Sequence, residues 1–296
     1  MRIMMSRKTL IVNGDSWTFG SEILNPELER FSNIVTEQDF EQNNDSYRIP
    51  RIYPTHLSKL MDVDLINLSW PADDNKSILN RTISYISQHY IEPNKSTKDL
   101  FVIVGWTSPE RNSFWWEDSS QSDTFRLWPH HKHFDRPLQE DFWKIYVDSM
   151  WNEQEYIPRY ILNILQFQSF CNQYDIKWMC FNAFAADSKP KVGFHEWEDL
   201  DIRKCLDSHT KNVGATPITT HEVGSRIAYS CTYLPIWKMI DSVRFYKKDQ
   251  KNNTFKSFVE QNVDVNSRWY GIHPSPHSHE MWANEIFNYM KENKLL

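Results

Sequence analysis

The chain has 296 residues, a length that suits one large α/β domain better than several small ones. Hydrophobic residues make up 40% and charged residues 24%, so a packed core is attainable and a disordered chain is excluded. The net charge is -6, and the longest basic stretch, Lys247-Lys248, sits beside Asp249, which argues against nucleic acid as a partner.

The first residues, Met1 to Lys8, lead into an apolar run too short for a secretory leader, and no stretch approaches the ~20 apolar residues of a membrane span. Residence in the cytoplasm, without a membrane partner, is therefore expected; a phage-encoded chain would belong in a virion. Cys171, Cys180, Cys205 and Cys231 have no C-x-x-C spacing, so free thiols are expected rather than a disulfide framework. Glycine is scarce, at seven residues, and tryptophan abundant, at thirteen.

Taken in order, Thr9-Leu10-Ile11-Val12-Asn13 reads as a buried strand that ends at Gly14-Asp15-Ser16. Gly14 allows a tight turn, and Ser16 is then either a helix cap or a hydroxyl presented at the sheet top. A helix is predicted from Tyr53 to Met61 and a second strand from Asp64 to Ser69, closed by Trp70-Pro71. A helix from Asn75 to Tyr90 precedes the third strand, Leu100 to Val104, which is closed by Gly105. A helix from Glu155 to Tyr174 precedes the fourth, Ile176 to Phe181. Ser242 to Tyr246 is a weaker fifth, and a helix from His279 to Asn293 closes the chain.

Continuous apolar strands alternating with amphipathic helices predict a three-layer α/β/α sandwich around a parallel sheet of about five strands. Ligands bind such sheets at the carboxyl ends of the strands, where Ser16, Ser69 and Gly105 fall. The segment from about residue 110 to 152 breaks the rhythm. It carries Trp115, Trp116, Trp128 and many other rings, and is expected as an insertion into one domain spanning 1–296. Its aromatic residues, with Trp106 just before it, form either a substrate platform or a satellite hydrophobic cluster. His130, His131 and His133, like His273, His277 and His279, lack the spacing of a zinc site, so neither metal nor cofactor is expected.

Near the C-terminus the chain reads Gly271-Ile272-His273-Pro274-Ser275-Pro276-His277-Ser278-His279, then Glu280-Met281-Trp282-Ala283. A histidine on a loop before the last helix can reach across the sheet top to a serine after the first strand. Together with Gly14-Asp15-Ser16, Asn67-Leu68-Ser69-Trp70-Pro71-Ala72 and Val104-Gly105-Trp106-Thr107, this stretch resembles the SGNH hydrolase superfamily, the GDSL esterases and lipases. The blocks stand in the family's order from about residue 10 to 290, and the resemblance implies its flavodoxin-like fold. It also implies Ser16 as nucleophile and His273 as base, with oxyanion donors at Ser16, Ala72 and Thr107.

The family's glycine donor is replaced at Ala72 or Asp73, its asparagine by Thr107 or Ser108, and its acid three residues before the histidine by Tyr270. Either a Ser-His dyad operates, or Asp264 supplies the acid, or activity is impaired. The expected function is hydrolysis of a small ester, such as an O-acetyl group on a carbohydrate. The rival is an impaired relative that binds glycans or builds a particle.

Overall fold

The structure is a computed structural model that describes residues 8–26, 44–109, 111–117, 122–127, 137–146, 153–183, 236–247 and 253–296. Strands β1 (Thr9–Asn13), β2 (Asp64–Asn67), β3 (Leu100–Trp106) and β6 (Lys177–Asn182) form one parallel sheet in the order β2-β1-β3-β6. Between β3 and β6, β4 (Asn112–Glu117) and β5 (Ser122–Leu127) pair as a separate antiparallel hairpin. This hairpin lies within the predicted insertion.

Side chains of the sheet alternate with period two, because successive residues of a strand face opposite sides. Ile11, Leu100, Val102, Val104, Trp106, Trp178 and Cys180 enter the core on one face. There they meet α3 (Asn75–Ile86) and α5 (Glu153–Gln173) through Ile78, Leu79, Ile164 and Phe167. Leu10, Val12, Phe101, Ile103, Met179 and Phe181 enter the core on the other face. This second core is closed by α2 (Tyr53–Met61), α6 (Phe255–Asn262) and α7 (Pro276–Glu292) through Leu57, Val259, Trp282 and Ile286. Burial on both faces explains the unbroken apolar runs of the strands. The architecture is α/β with helices on both sides of a parallel sheet, as the sequence predicts.

The fifth strand is not formed. Phe245 makes a single parallel bridge to Cys180, and Asn182 another to Thr254. Arg244 and Tyr246 exchange backbone hydrogen bonds with Cys180. The carboxylate of Asp241 meanwhile accepts from the backbone N–H of Val243 and Arg244, holding that segment as a turn. Helix α6 is amphipathic, burying Phe255 and Val259, and is absent from the predicted elements; its start is a reciprocal cap between Thr254 and Ser257. Cys171 and Cys180 are free and buried, while Cys205 and Cys231 lie outside the described residues. Among the described residues, no helix is long and apolar enough to cross a membrane.

The β2-β1-β3 order means that the chain leaves β1 in one direction for β2 and passes back beyond it for β3. A crevice opens at such a switch point, at the carboxyl ends of the two strands concerned. Ser16 follows β1 there, and Thr107 follows β3.

Candidate active site at the carboxyl edge of the sheet

The turn after β1 is built around Asp15. Its buried carboxylate accepts from the N–H of Trp17 at 3.0 Å and so caps α1 (Ser16–Phe19). It also accepts from the Thr107 hydroxyl at 2.6 Å and stands 3.3 Å from the Arg111 guanidinium. The ends of β1 and β3 and the start of the insertion are thereby joined at one carboxylate. Gly14 is needed for space: a Cβ there would meet Thr18 Oγ1 at 2.2 Å and the Gly105 carbonyl at 3.1 Å. The backbone freedom expected of Gly14 is not what the fold uses, since its φ is not positive.

Ser16 opens α1 with its side chain mostly buried at 8% exposure. As first helical residue its N–H has no partner within the helix. Among the described residues neither this N–H nor the Ser16 hydroxyl makes a hydrogen bond. Next to this turn, Trp70 N–H donates to the Gly14 carbonyl at 3.1 Å, which brings the Trp70–Ala72 turn against the serine. Ala72 lies at φ +59°, in the left-handed region that favours glycine. Its N–H is likewise unengaged among the described residues. Two backbone donors thus remain unengaged, on the turns that follow β1 and β2.

Thr107 does not join them. Its hydroxyl donates to Asp15 and its N–H to the Asn75 side chain at 2.9 Å. Asn75 returns two bonds, to the carbonyls of Thr107 and Ser108 at 3.1 and 3.3 Å. The oxyanion role expected of Thr107 is therefore replaced by a structural one, because its donors are already spent on buried acceptors.

His273 arrives on a small hairpin, β7 (Trp269–Tyr270) with β8 (His273–Pro274), that packs on α1 and on the start of α7. The ring is largely buried, at 12% exposure, and shares no hydrogen bond with Ser16. Tyr270 pairs directly across from His273. Asp264 does not serve the histidine: its carboxylate accepts from the N–H and side chain of Asn266, closing its own exposed turn. The carboxylate that does reach the ring is Glu22, whose Oε2 lies 3.0 Å from Nδ1. That approach is an ion-pair contact rather than a closed hydrogen bond, the oxygen standing off the line of the ring N–H. No motif of the sequence marked Glu22.

His279, in the first turn of α7, is fully buried, and its Nδ1 accepts the N–H of Tyr53 at 3.1 Å. Burial, reinforced by His56, His273 and Arg48, pushes its pKa down to about 3, so the ring is neutral. Of the aromatic residues suggested for substrate, Trp106 is fully buried against Tyr160 and Phe167. It belongs to the core, as the strand's alternation requires. Trp115 and Trp116 have their backbone in β4, but their side chains, like Trp128, His130, His131 and His133, lie outside the described residues. The rings that are described in this insertion, Phe114, Phe142 and Tyr146, pack edge and face on one another. Large apolar side chains do stand exposed near the site: Trp70, Tyr270 and Ile272. Among the described residues, no group of acidic, histidine and cysteine side chains could hold a metal ion.

Residues 33–210 match the sequence model of a family of unknown function, DUF6071. The chain belongs to that family. The span defining DUF6071 here runs from before β2 to beyond β6, and leaves Ser16, Glu22 and His273 outside it. No curated protein matches the chain. Among solved structures it is similar to a protein assigned to the G-D-S-L lipolytic family from Desulfitobacterium hafniense DCB-2. That pair is 9% identical, with 98% of this chain and 99% of the other covered, at a TM-score of 0.41. A psychrotrophic esterase from a Pseudoalteromonas species is also similar (9% identity, 96% and 97% covered, TM-score 0.40). So is a catalytic mutant of an acetylxylan esterase from Geobacillus stearothermophilus (12% identity, 98% and 96% covered, TM-score 0.40).

Proposed function

We propose that this chain is a serine esterase of the SGNH type that removes a small acyl group, with Ser16 as nucleophile and His273 as general base. The observation that carries the reading is the meeting of α1 and β8 at the switch point. There, an unengaged serine hydroxyl and two unengaged backbone N–H groups share one edge of the sheet with a mostly buried histidine. The Ser16 proton passes to Nε2 of His273 as Oγ attacks the acyl carbon. The oxyanion that forms is held by the N–H groups of Ser16 and Ala72, each such donor being worth about 3 kcal/mol in the transition state. The C–O bond to the alcohol then breaks, and the imidazolium gives that alcohol its proton. Water, deprotonated by the same ring, attacks the acyl-serine and releases the acid with Ser16 restored.

The exposed Trp70, Tyr270 and Ile272 provide an apolar rim suited to an acyl chain or a sugar face. An acylated carbohydrate is thus a fitting substrate, with neither cofactor nor metal in the scheme. The rival reading, a binding or structural protein without activity, is favoured by the open contact between Ser16 and His273 and by the commitment of Thr107 to Asp15. Nucleophile–base contacts often close only when substrate is bound, so the open contact is compatible with the esterase as well. Labelling with a fluorophosphonate and hydrolysis of acetyl esters decide between them. The esterase reading requires labelling and turnover in the native chain, with a loss of at least about 10³-fold in Ser16→Ala and His273→Ala. Equal labelling of native chain and Ser16→Ala would remove it.

A further inference from the structure

The geometry points to Glu22 as the carboxylate that positions His273, in place of the acid that Tyr270 displaces. This inference rests on the esterase reading and adds the third member of its site. Three observations carry it. Oε2 of Glu22 lies 3.0 Å from Nδ1 of His273, and that nitrogen is shut off from solvent. The same oxygen accepts the N–H of Ile272 at 2.9 Å, so the carboxylate that stands against the ring is bound to the backbone beside it. Finally, Gly271 leaves the room: at φ +56° a Cβ there would come within 2.3 Å of Oε2 and 2.8 Å of the carboxyl carbon.

The loop carrying Glu22 is itself fixed. Gly20 ends α1 in the left-handed region, with its N–H donating to the Ser16 carbonyl. Ile23 is fully buried, and Asn44 bridges the Ile23 carbonyl and the Asn25 N–H at 3.0 and 2.9 Å. Arg48 binds the Phe19 carbonyl from the other side and lies over the Phe19 ring. Nucleophile and acid are thus displayed by one short, anchored stretch, six residues apart, and the base comes to them from the far end of the chain.

A carboxylate against Nδ1 selects the tautomer with its proton on that atom, which leaves the Nε2 lone pair to take the Ser16 proton. It also stabilises the imidazolium formed in that step. Because the Glu22 side chain is 40% exposed, water can partly replace it, and its removal should cost less than removal of a buried acid.

The test uses the full chain with ¹⁵N-labelled histidine, comparing native protein with Glu22→Gln, Glu22→Ala and Glu22→Asp. At a pH where the ring is neutral, imidazole ¹⁵N shifts should show the Nδ1–H tautomer of His273 in the native chain. Glu22→Ala and Glu22→Gln should shift that population toward Nε2–H, and Glu22→Asp should restore part of it. In ester hydrolysis kcat should fall about 10- to 100-fold in Glu22→Ala and Glu22→Gln with little change in KM. A folded Glu22→Gln with the native tautomer would overturn the assignment. Since the tautomer is read without turnover, this outcome is distinct from failure of the esterase reading, which labelling and turnover of the native chain, Ser16→Ala and His273→Ala decide.

Discussion

The two ends of the same sheet are built on opposite principles. At the amino edge, where the strands begin, Leu60, Met61, Leu100, Phe101 and Phe287 line an apolar hollow of about 220 Å³. Its lysines, Lys8, Lys98 and Lys177, stay in solvent, and Asp99 is half-buried. At the carboxyl edge, Asn13, Asp15, Ser16, Asp73, Asp74, Asn75, Thr107 and Ser108 are all buried. Burying polar groups is unfavourable unless each finds a partner, so an apolar end is the cheaper way to finish a sheet. The carboxyl edge accepts the cost and meets it with a network: Asn13 to Ile78 and Thr82, Asp73 to Arg81, Asp74 to Ser77 and Ser113, Asn75 to Thr107. Among the described residues the Ser16 hydroxyl and the N–H groups of Ser16 and Ala72 stay outside this network, and they are what chemistry can use.

If that contrast is right, damage at the carboxyl edge should be severe and damage at the amino edge slight. Asp15→Ala should have the largest effect, because it removes the buried acceptor shared by the Arg111 guanidinium, the Trp17 N–H and the Thr107 hydroxyl. Removing one partner of a buried ion pair typically costs about 3–5 kcal/mol, measurable by denaturant unfolding. A loss below about 1 kcal/mol would show that the network is not what holds this end.

Acid should weaken the same edge through His279. Its folded pKa of about 3 lies below the 6.5 of the unfolded ring, so between these values the unfolded chain binds more protons. Stability is therefore full above about pH 6.5 and falls as pH is lowered toward 3. The loss by pH 4 is about 3 kcal/mol from this ring alone. His279→Gln should flatten that slope in melts recorded across the window, and an unchanged slope would locate the acid sensitivity elsewhere.

A milder effect is expected from Gly14→Ala, which drives a methyl into Thr18 and the Gly105 carbonyl. Overpacking of this kind costs about 1–3 kcal/mol and should be partly relieved by adding Thr18→Ala, which removes the Oγ1 that the methyl meets. Smallest of all should be Lys177→Ala at the amino edge. An exposed lysine with no ion pair among the described residues should change stability by no more than about 0.5 kcal/mol and leave hydrolysis intact.

Local pattern made the strands legible. Each run of β-branched and apolar residues closed by Gly, Asn or Pro became a strand within two residues of its predicted ends, because burial writes itself into composition, most fully in β1, β3 and β6. The same pattern held a lesson about Trp106. Counting by twos from Leu100 puts it with Val102 and Val104 on the α3–α5 side, inside the core rather than over the site. The Ser242–Tyr246 run misled for the opposite reason: its residues suit a strand, but Asp241 captures their N–H groups in a turn.

By itself, the sequence determined the parallel α/β layout and the arrival of Ser16 and His273 at one edge, since each follows from periodicity and from where a strand or loop ends. Only the tertiary structure decided which neighbours these residues keep. Thr107 is claimed by Asp15 across 92 residues of chain, and Ile272, beside His273, by Glu22 across 250. Asp264, much closer to the histidine in sequence, turns back on Asn266. Proximity along a chain is a local property, whereas the partner of a buried polar group is set by whichever loops the packed helices bring over it, and no spacing records that.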